Sequence, residues 1–229
     1  MKMNRNRCAA VAFVCVFAII AMAAPVTAAD TSMAEEPTER AEKISAAAVP
    51  KEPFPVVETT FTFTEPLKER QKTDMIVIHH VGIPAGDTTA AAIHAAHLAN
   101  GWAGIGYHYV IRKDGTIERG RPVQTVGAHA YGENEHTVGI NVTGNFDTEK
   151  PTAAQIQSLE TLLTWLCQYY HIEPGVTTII GHRDLNSTDC PGQQLYAQLP
   201  RIRQDVKVRL AEQQLENTPL KRILNNHGK

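Results

Sequence analysis

Met75-Ile76-Val77-Ile78-His79-His80 is an apolar run that stops on two histidines. So short a run, apolar on both alternating faces, reads as a strand covered on both sides, as in a parallel sheet packed between helices. Its terminal imidazoles stand where sheet gives way to loop, which is where binding and catalytic groups collect. Outward from this strand, Asp87-Thr88 can cap a helix that runs to a natural stop at Asn100-Gly101. Tyr107 to Arg112 reads as a strand, Asp114-Gly115 as a hairpin turn and Thr116 to Arg119 as its partner. Thr137 to Thr143 is a further strand. Thr152 and Gln155 form a capping box ahead of Ile156, Leu159, Leu163, Leu166 and Tyr170, which recur at helical spacing. A last strand spans Val176 to Ile180, and residues 193 to about 215 read as helix. Strands alternating with helices predict an α/β class: one domain with a central mixed sheet flanked by helices, its site at the strand ends.

The chain has 229 residues, with 22 Lys and Arg against 24 Asp and Glu, a net charge of −2. That balance provides no electrostatic footprint for nucleic acid. Lys2, Arg5 and Arg7 precede an uncharged stretch from Cys8 to Ala24, which closes on Pro25-Val26-Thr27-Ala28-Ala29. This is the pattern of a secretory signal over residues 1–29, removed after Ala28 or Ala29. The apolar run is shorter than the ~20 residues that span a bilayer, so no stable membrane anchor is expected after cleavage. The bulky Ala12-Phe13-Val14 before Cys15 do not suit a lipoprotein signal. Export places the mature chain in a periplasmic or extracellular setting, with Cys167 and Cys190 as its remaining thiols. Cys167 lies beside the apolar helix stripe and reads as a core thiol.

Residues 30–65, rich in Pro, Ala and Glu, read as a flexible linker that cannot bury enough apolar area to order itself. Val56 to Phe63 nonetheless has strand character and could pack on the edge of the domain. Residues 66–200 are then the folded domain, and 201–229, with seven basic and three acidic residues, a solvated basic helical tail.

Three features sit at loop–strand junctions: His79; Gly106-Tyr107-His108-Tyr109; and the stretch from Gly181-His182-Arg183-Asp184 to Asp189-Cys190-Pro191-Gly192. Two imidazoles and a thiolate form an N and S donor set of the kind zinc takes. Three protein ligands would leave the fourth position open, the mark of a catalytic site rather than a structural one. Spacing by itself decides little, because any histidine-rich chain offers such pairs.

Ile76 to His80 resembles the first signature of the zinc-dependent N-acetylmuramoyl-L-alanine amidases, which include phage amidase lysozymes and the peptidoglycan recognition proteins. Gly101-Trp102-Ala103-Gly104-Ile105-Gly106-Tyr107-His108-Tyr109 is similar to the second. Arg119-Gly120-Arg121 with Val126-Gly127-Ala128-His129-Ala130 is similar to the third. Val138-Gly139-Ile140, Gly144-Asn145-Phe146 and Gly181 to Gly192 complete the set in order. The resemblance runs from about residue 66 to 200. It implies Zn²⁺ held by His79, His182 and Cys190, with Tyr107 as the catalytic tyrosine and Thr188, two residues before the thiolate, as its helper. It implies hydrolysis of the amide between the lactyl group of N-acetylmuramic acid and L-alanine, with peptidoglycan or muropeptides as partner. His129 is expected to face substrate or the leaving amine. Gly101, Trp102 and Arg121 match positions that accompany meso-diaminopimelate recognition, since an Arg fork suits the extra carboxylate that lysine-type stems lack. Asn141 stands where a cytosolic branch of the family has Glu, and an amide cannot act as a base. Asp184 is expected to pair with Arg183 and to orient a ligand imidazole. His80, His94, His97 and His108 are expected to play structural roles.

Two rival functions remain at this point. A non-catalytic wall-binding module would typically lack the thiolate ligand, which Cys190 supplies here. A cysteine peptidase would use Cys190 as nucleophile and His182 as base, yet a Cys before Pro191 in a loop lacks the helix N-terminus that lowers a thiol pKa.

Overall fold

The computed structural model describes residues 51–83 and 86–216. The expected signal, residues 30–50 of the expected linker and residues 217–229 of the tail lie outside the described residues. Five strands form one mixed sheet: β1 (Met75–His80), β2 (Tyr109–Ile111), β3 (Ile117–Arg119), β4 (Thr137–Val142) and β5 (Ile179–Gly181). Their order is β3-β2-β4-β1-β5. The inner pairings are parallel, and only β3 runs antiparallel to its neighbour β2. The central strand β1 is the quoted apolar run, and its interior is buried on both faces, as a strand between two layers requires.

On one face, Ile76, Ile78, Tyr109, Ile111, Val138 and Ile140 pack against the long helices α2 (Ala153–Tyr170) and α4 (Leu199–Glu216). The capping box forms as read: Gln155 N donates to Thr152 Oγ1 at 3.0 Å and Thr152 N to Gln155 Oε1 at 3.0 Å. On the other face, α1 (Ala90–Ala99) lays Ala90 and Ile93 over Val110 and Ile105. Its cap is Thr89, whose hydroxyl accepts from Ala92 N, rather than Asp87 or Thr88. Asp87 is instead drawn off by Arg112, with N···O contacts of 2.9 and 2.7 Å. The chain leaves α1 through Gly101 at φ +79°, a left-handed conformation that favours glycine.

Two segments differ from expectation. Residues 51–65 are not a free linker. Val57 pairs with β3, donating to Ile117 O and accepting from Arg119 N, both at 2.8 Å. Glu52 is buried, where it accepts from Tyr109 Oη at 2.7 Å and Arg119 Nη2 at 2.8 Å. Phe54 meets Trp165 edge to face, and Phe61 stacks on His94. Composition shows that such a segment cannot build a core of its own, but it says nothing about a core already present for it to cover.

The second difference is at the tail. Residues 201–216 belong to α4, with Ile202 and Val206 fully buried and Arg209 donating to the buried Glu160 at 2.8 Å. A high charge count hid the stripe Leu199, Ile202, Val206, whose i, i+3, i+7 spacing is that of a helix docked on a core. A short helix, α3 (Gln193–Tyr196), precedes it.

Candidate metal centre and cleft

β1 and β5 are parallel neighbours, and Ile78 pairs with Gly181. The next residue of each strand is therefore delivered to the same carboxyl edge of the sheet, where ligands of open α/β folds bind. Those residues are His79, which is buried, and His182, which opens a short turn; their rings lie 4.5 Å apart between centroids. The loop beyond the turn folds back, tied by Arg183 N to Cys190 O at 2.8 Å, and brings Cys190 Sγ to 3.6 Å from His79 Nδ1. One donor atom from each of His79, His182 and Cys190 falls within 4.8 Å of the others.

Hydrogen bonds behind the rings fix which nitrogen faces inward. Thr137 Oγ1 donates to Glu133 O at 2.8 Å, so it must accept from His129 Nε2 at 3.3 Å. With its proton on Nε2, His129 offers a lone pair at Nδ1, which accepts from His79 Nε2 at 3.0 Å. His79 is thereby left with a bare Nδ1, the atom that faces Cys190. A second relay acts on His182. Asn186 Nδ2 donates to Tyr131 O at 3.2 Å, so its Oδ1 accepts from His182 Nε2 at 2.9 Å and leaves Nδ1 free. Burial disfavours the cationic forms and holds His79 and His182 below the usual imidazole value, and it carries His129 down to about 3.

These donors fit a zinc ion. Tetrahedral coordination with Zn–N of about 2.05 Å and Zn–S of about 2.3 Å places N and S about 3.6 Å apart, which matches His79 Nδ1 to Cys190 Sγ. Burial pushes the Cys190 thiol up to about 12, against the pull of the His80 N–H at 3.4 Å and the Arg183 charge. A divalent cation is the charge that would convert this buried thiol to a thiolate ligand.

His129, expected to face substrate or the leaving amine, lines the cleft, and its ring also serves His79. It fits there because residue 139 of β4 is glycine, and a Cβ at that position would run into the His129 ring. Arg183 and Asp184 differ from the expected ion pair. Asp184 accepts from Gly181 N at 2.9 Å and Tyr196 Oη at 2.5 Å, while Arg183 donates to Gln193 and to Asp189 O. The residue that orients His182 is Asn186, four positions on, a placement that only the turn reveals. Of the remaining histidines, His94 accepts from Ile105 N, His97 from Gly106 N, His80 from Phe146 N and His108 from Gly139 N, and all four structural readings hold. Asn141, in register with His79, is fully buried and its side-chain amide has no partner among the described residues.

Tyr107 sets its ring 5.1 Å from that of His79. Burial, and then the nearby Cys190, push its phenol above the ordinary value, so it keeps its proton. Thr188 Oγ1 accepts from Cys190 N at 3.2 Å, which orients a hydroxyl that lines the cleft. The cleft has a volume of about 750 Å³, and its walls include Gly101, Trp102, Arg121, Tyr131, His182 and Thr188. Arg121 is 6% exposed; its Nε donates to Ile105 O at 3.0 Å and its Nη1 to Val126 O at 2.8 Å, while Phe63 lies under the guanidinium. Three of its N–H groups, on Nη1 and Nη2, have no hydrogen-bond acceptor among the described residues.

Residues 69–193, which hold the three donors together with Tyr107, Arg121, His129 and Thr188, match the family model described as N-acetylmuramoyl-L-alanine amidase. The chain belongs to the N-acetylmuramoyl-L-alanine amidase family. The amidase match extends to curated proteins: the endolysin of Escherichia phage T7 is 33% identical over 130 residues, 54% of this chain and 83% of that one. Among solved structures, the endolysin amidase LysCS from Clostridium intestinale is 38% identical, with a TM-score of 0.59 over 67% of this chain and 95% of its own. Peptidoglycan recognition protein-LE, solved with tracheal cytotoxin, a monomeric diaminopimelic acid-type peptidoglycan, is 27% identical with a TM-score of 0.57, covering 64% of this chain and 92% of that one.

Proposed function

We propose that the chain is an exported, zinc-dependent enzyme that cleaves the amide between the lactyl group of N-acetylmuramic acid and L-alanine, with a preference for meso-diaminopimelate-type wall. The observation that carries this reading is the donor set itself: two imidazoles, each turned Nδ1-inward by its own relay, and a cysteine sulfur at zinc-compatible distance. When bound there, zinc supplies Lewis acidity for the amide carbonyl and makes a water more acidic.

The chain's own residues do the rest. Tyr107 holds its proton at Oη, next to the donor set, and can give a hydrogen bond to the oxygen on which negative charge develops; a preorganised donor of this kind is typically worth ~3–4 kcal/mol. Thr188 presents a second hydroxyl on the cleft wall. Trp102, 46% exposed, offers an apolar wall for the sugar or stem. Arg121 is a buried cation without a carboxylate within 4.0 Å among the described residues, so it suits a substrate carboxylate. Export is supported by the pattern of residues 1–29.

The rival readings fit less well. A non-catalytic binder has no need of a complete ligand set with both rings locked. A cysteine peptidase needs a thiol that ionises near neutrality, whereas burial drives Cys190 the other way. Mass analysis of muropeptides digested with and without a chelator tests the proposal: free stem peptides beginning at L-alanine, released only without chelator, are expected. Cleavage within the stem, or release that survives chelation, would overturn it.

A further inference from the structure

The cleft holds two opposite charges that do not pair with each other. One is Arg121, buried and satisfied only in part by carbonyl oxygens. The other is Glu65, exposed on the wall of the same cleft. Glu65 is the carboxylate whose field acts on Arg121, yet it stays beyond ion-pair distance.

Glu65 reaches this place through the segment that composition describes as linker. Thr64 N donates to Ala103 O at 3.0 Å, which pins the residue before Glu65 to the loop carrying Gly101 and Trp102. Phe63 lies 5.4 Å from the Arg121 guanidinium and packs edge-on against His94 at 5.5 Å, and Phe61 stacks on the same imidazole at 4.3 Å. Residue 65 precedes the stretch matched by the family model, which begins at 69.

A guanidinium and a carboxylate that line one cavity without touching are complementary to a ligand carrying both charges on neighbouring atoms. The side-chain end of diaminopimelate is such a group, with an ammonium and a carboxylate on one carbon. We propose that Glu65 is a specificity-determining residue that accepts the free side-chain ammonium of the stem's third residue, while Arg121 takes the adjoining carboxylate. This rests on the wall-substrate reading of the cleft. Its consequence is that the chain distinguishes stems whose side-chain amine is free from stems in which a cross-link or acylation has turned that amine into a neutral amide.

Because Glu65 is exposed, the preference is modest. An exposed ion pair is worth about 0.2–1 kcal/mol, which corresponds to about 1.4- to 5-fold in affinity, and it weakens with salt. The test is calorimetric titration of the full chain with the free tripeptide L-Ala-γ-D-Glu-meso-diaminopimelate, and with the same peptide acetylated on its side-chain amine. Neither contains the muramyl amide, so binding is read whether or not the chain hydrolyses wall. The free-amine peptide is expected to bind about threefold more tightly at low salt, and Glu65→Gln to erase the difference. A lysine-containing tripeptide, which keeps the ammonium but lacks the carboxylate, should show the same sensitivity to Glu65→Gln. Equal binding of the free and acetylated peptides, a preference that persists in Glu65→Gln, or no binding of either peptide would overturn the proposal. Failure of the muropeptide digestion would instead remove the amidase reading.

Discussion

His129→Ala separates two roles for this histidine. If the ring only faced substrate, its removal would slow turnover and leave metal binding alone. The structure places it on the cleft wall and also makes it the acceptor for His79 Nε2–H, with Thr137 behind it. Without the ring, His79 loses the partner that fixes its tautomer, and a buried N–H is left unsatisfied at a cost of about 1–3 kcal/mol. Loss of a group that orients a metal-ligating histidine typically lowers metal affinity or activity by about 10- to 100-fold, or about 1.4–2.8 kcal/mol. We therefore expect zinc affinity to fall by that factor, measured by competition with a chromogenic chelator. Urea unfolding of the metal-free protein should show a loss of about 2–4 kcal/mol in stability once the void left by the ring is added to the orphaned donor. Unchanged zinc affinity together with slower turnover would refute the relay and leave His129 a substrate-facing role alone.

Tyr107→Phe should keep zinc and lose turnover by roughly 10²- to 10³-fold, as befits a donor used in the transition state; a fully active variant would remove Tyr107 from the chemistry. Arg121→Ala should depress kcat/KM on diaminopimelate-type muropeptides more than on lysine-type ones, and an equal loss on both would overturn the carboxylate assignment. His136 offers a pH test away from the cleft. Burial opposes its cation, but hydrogen bonds to Asp74 at 2.6 Å and Glu133 at 2.8 Å outweigh it and raise the imidazole pKa. A raised folded value means the contribution is fully present below about pH 6.5, the unfolded value, and is lost as pH rises through the folded one. With these groups partly exposed, the wild type should exceed His136→Gln by about 0.5–1 kcal/mol in urea unfolding at pH 6, and match it at pH 9. A difference that stays constant with pH would contradict the assignment.

Much of the fold was legible because local chemistry and global packing agree at particular places. The apolar run of β1 is buried on both faces as its composition demands, and the Thr152–Gln155 box closes as written. The three donors stood out because each sits at a strand end or in the loop that follows one. What stayed hidden depends on surfaces that sequence patterns do not carry. Nothing in Pro53-Phe54-Pro55 announces that Trp165 lies ready to receive the phenyl ring. Glu52 is a lone carboxylate until Tyr109 and Arg119 are folded around it. The charges of α4 masked a narrow apolar stripe. The relays through Thr137 and Asn186 use common residues whose meaning comes only from what stands behind each imidazole.

The central claim is that His79, His182 and Cys190 share one catalytic ion, and metal content measured alongside hydrolysis tests it most directly. The purified chain should carry one zinc per molecule. Chelation and the Cys190→Ser variant should each remove the ion and wall hydrolysis in the same proportion, and added zinc should restore both to the chelated wild type. Hydrolysis that continues in protein stripped of metal, or zinc retained in full by Cys190→Ser, would contradict it.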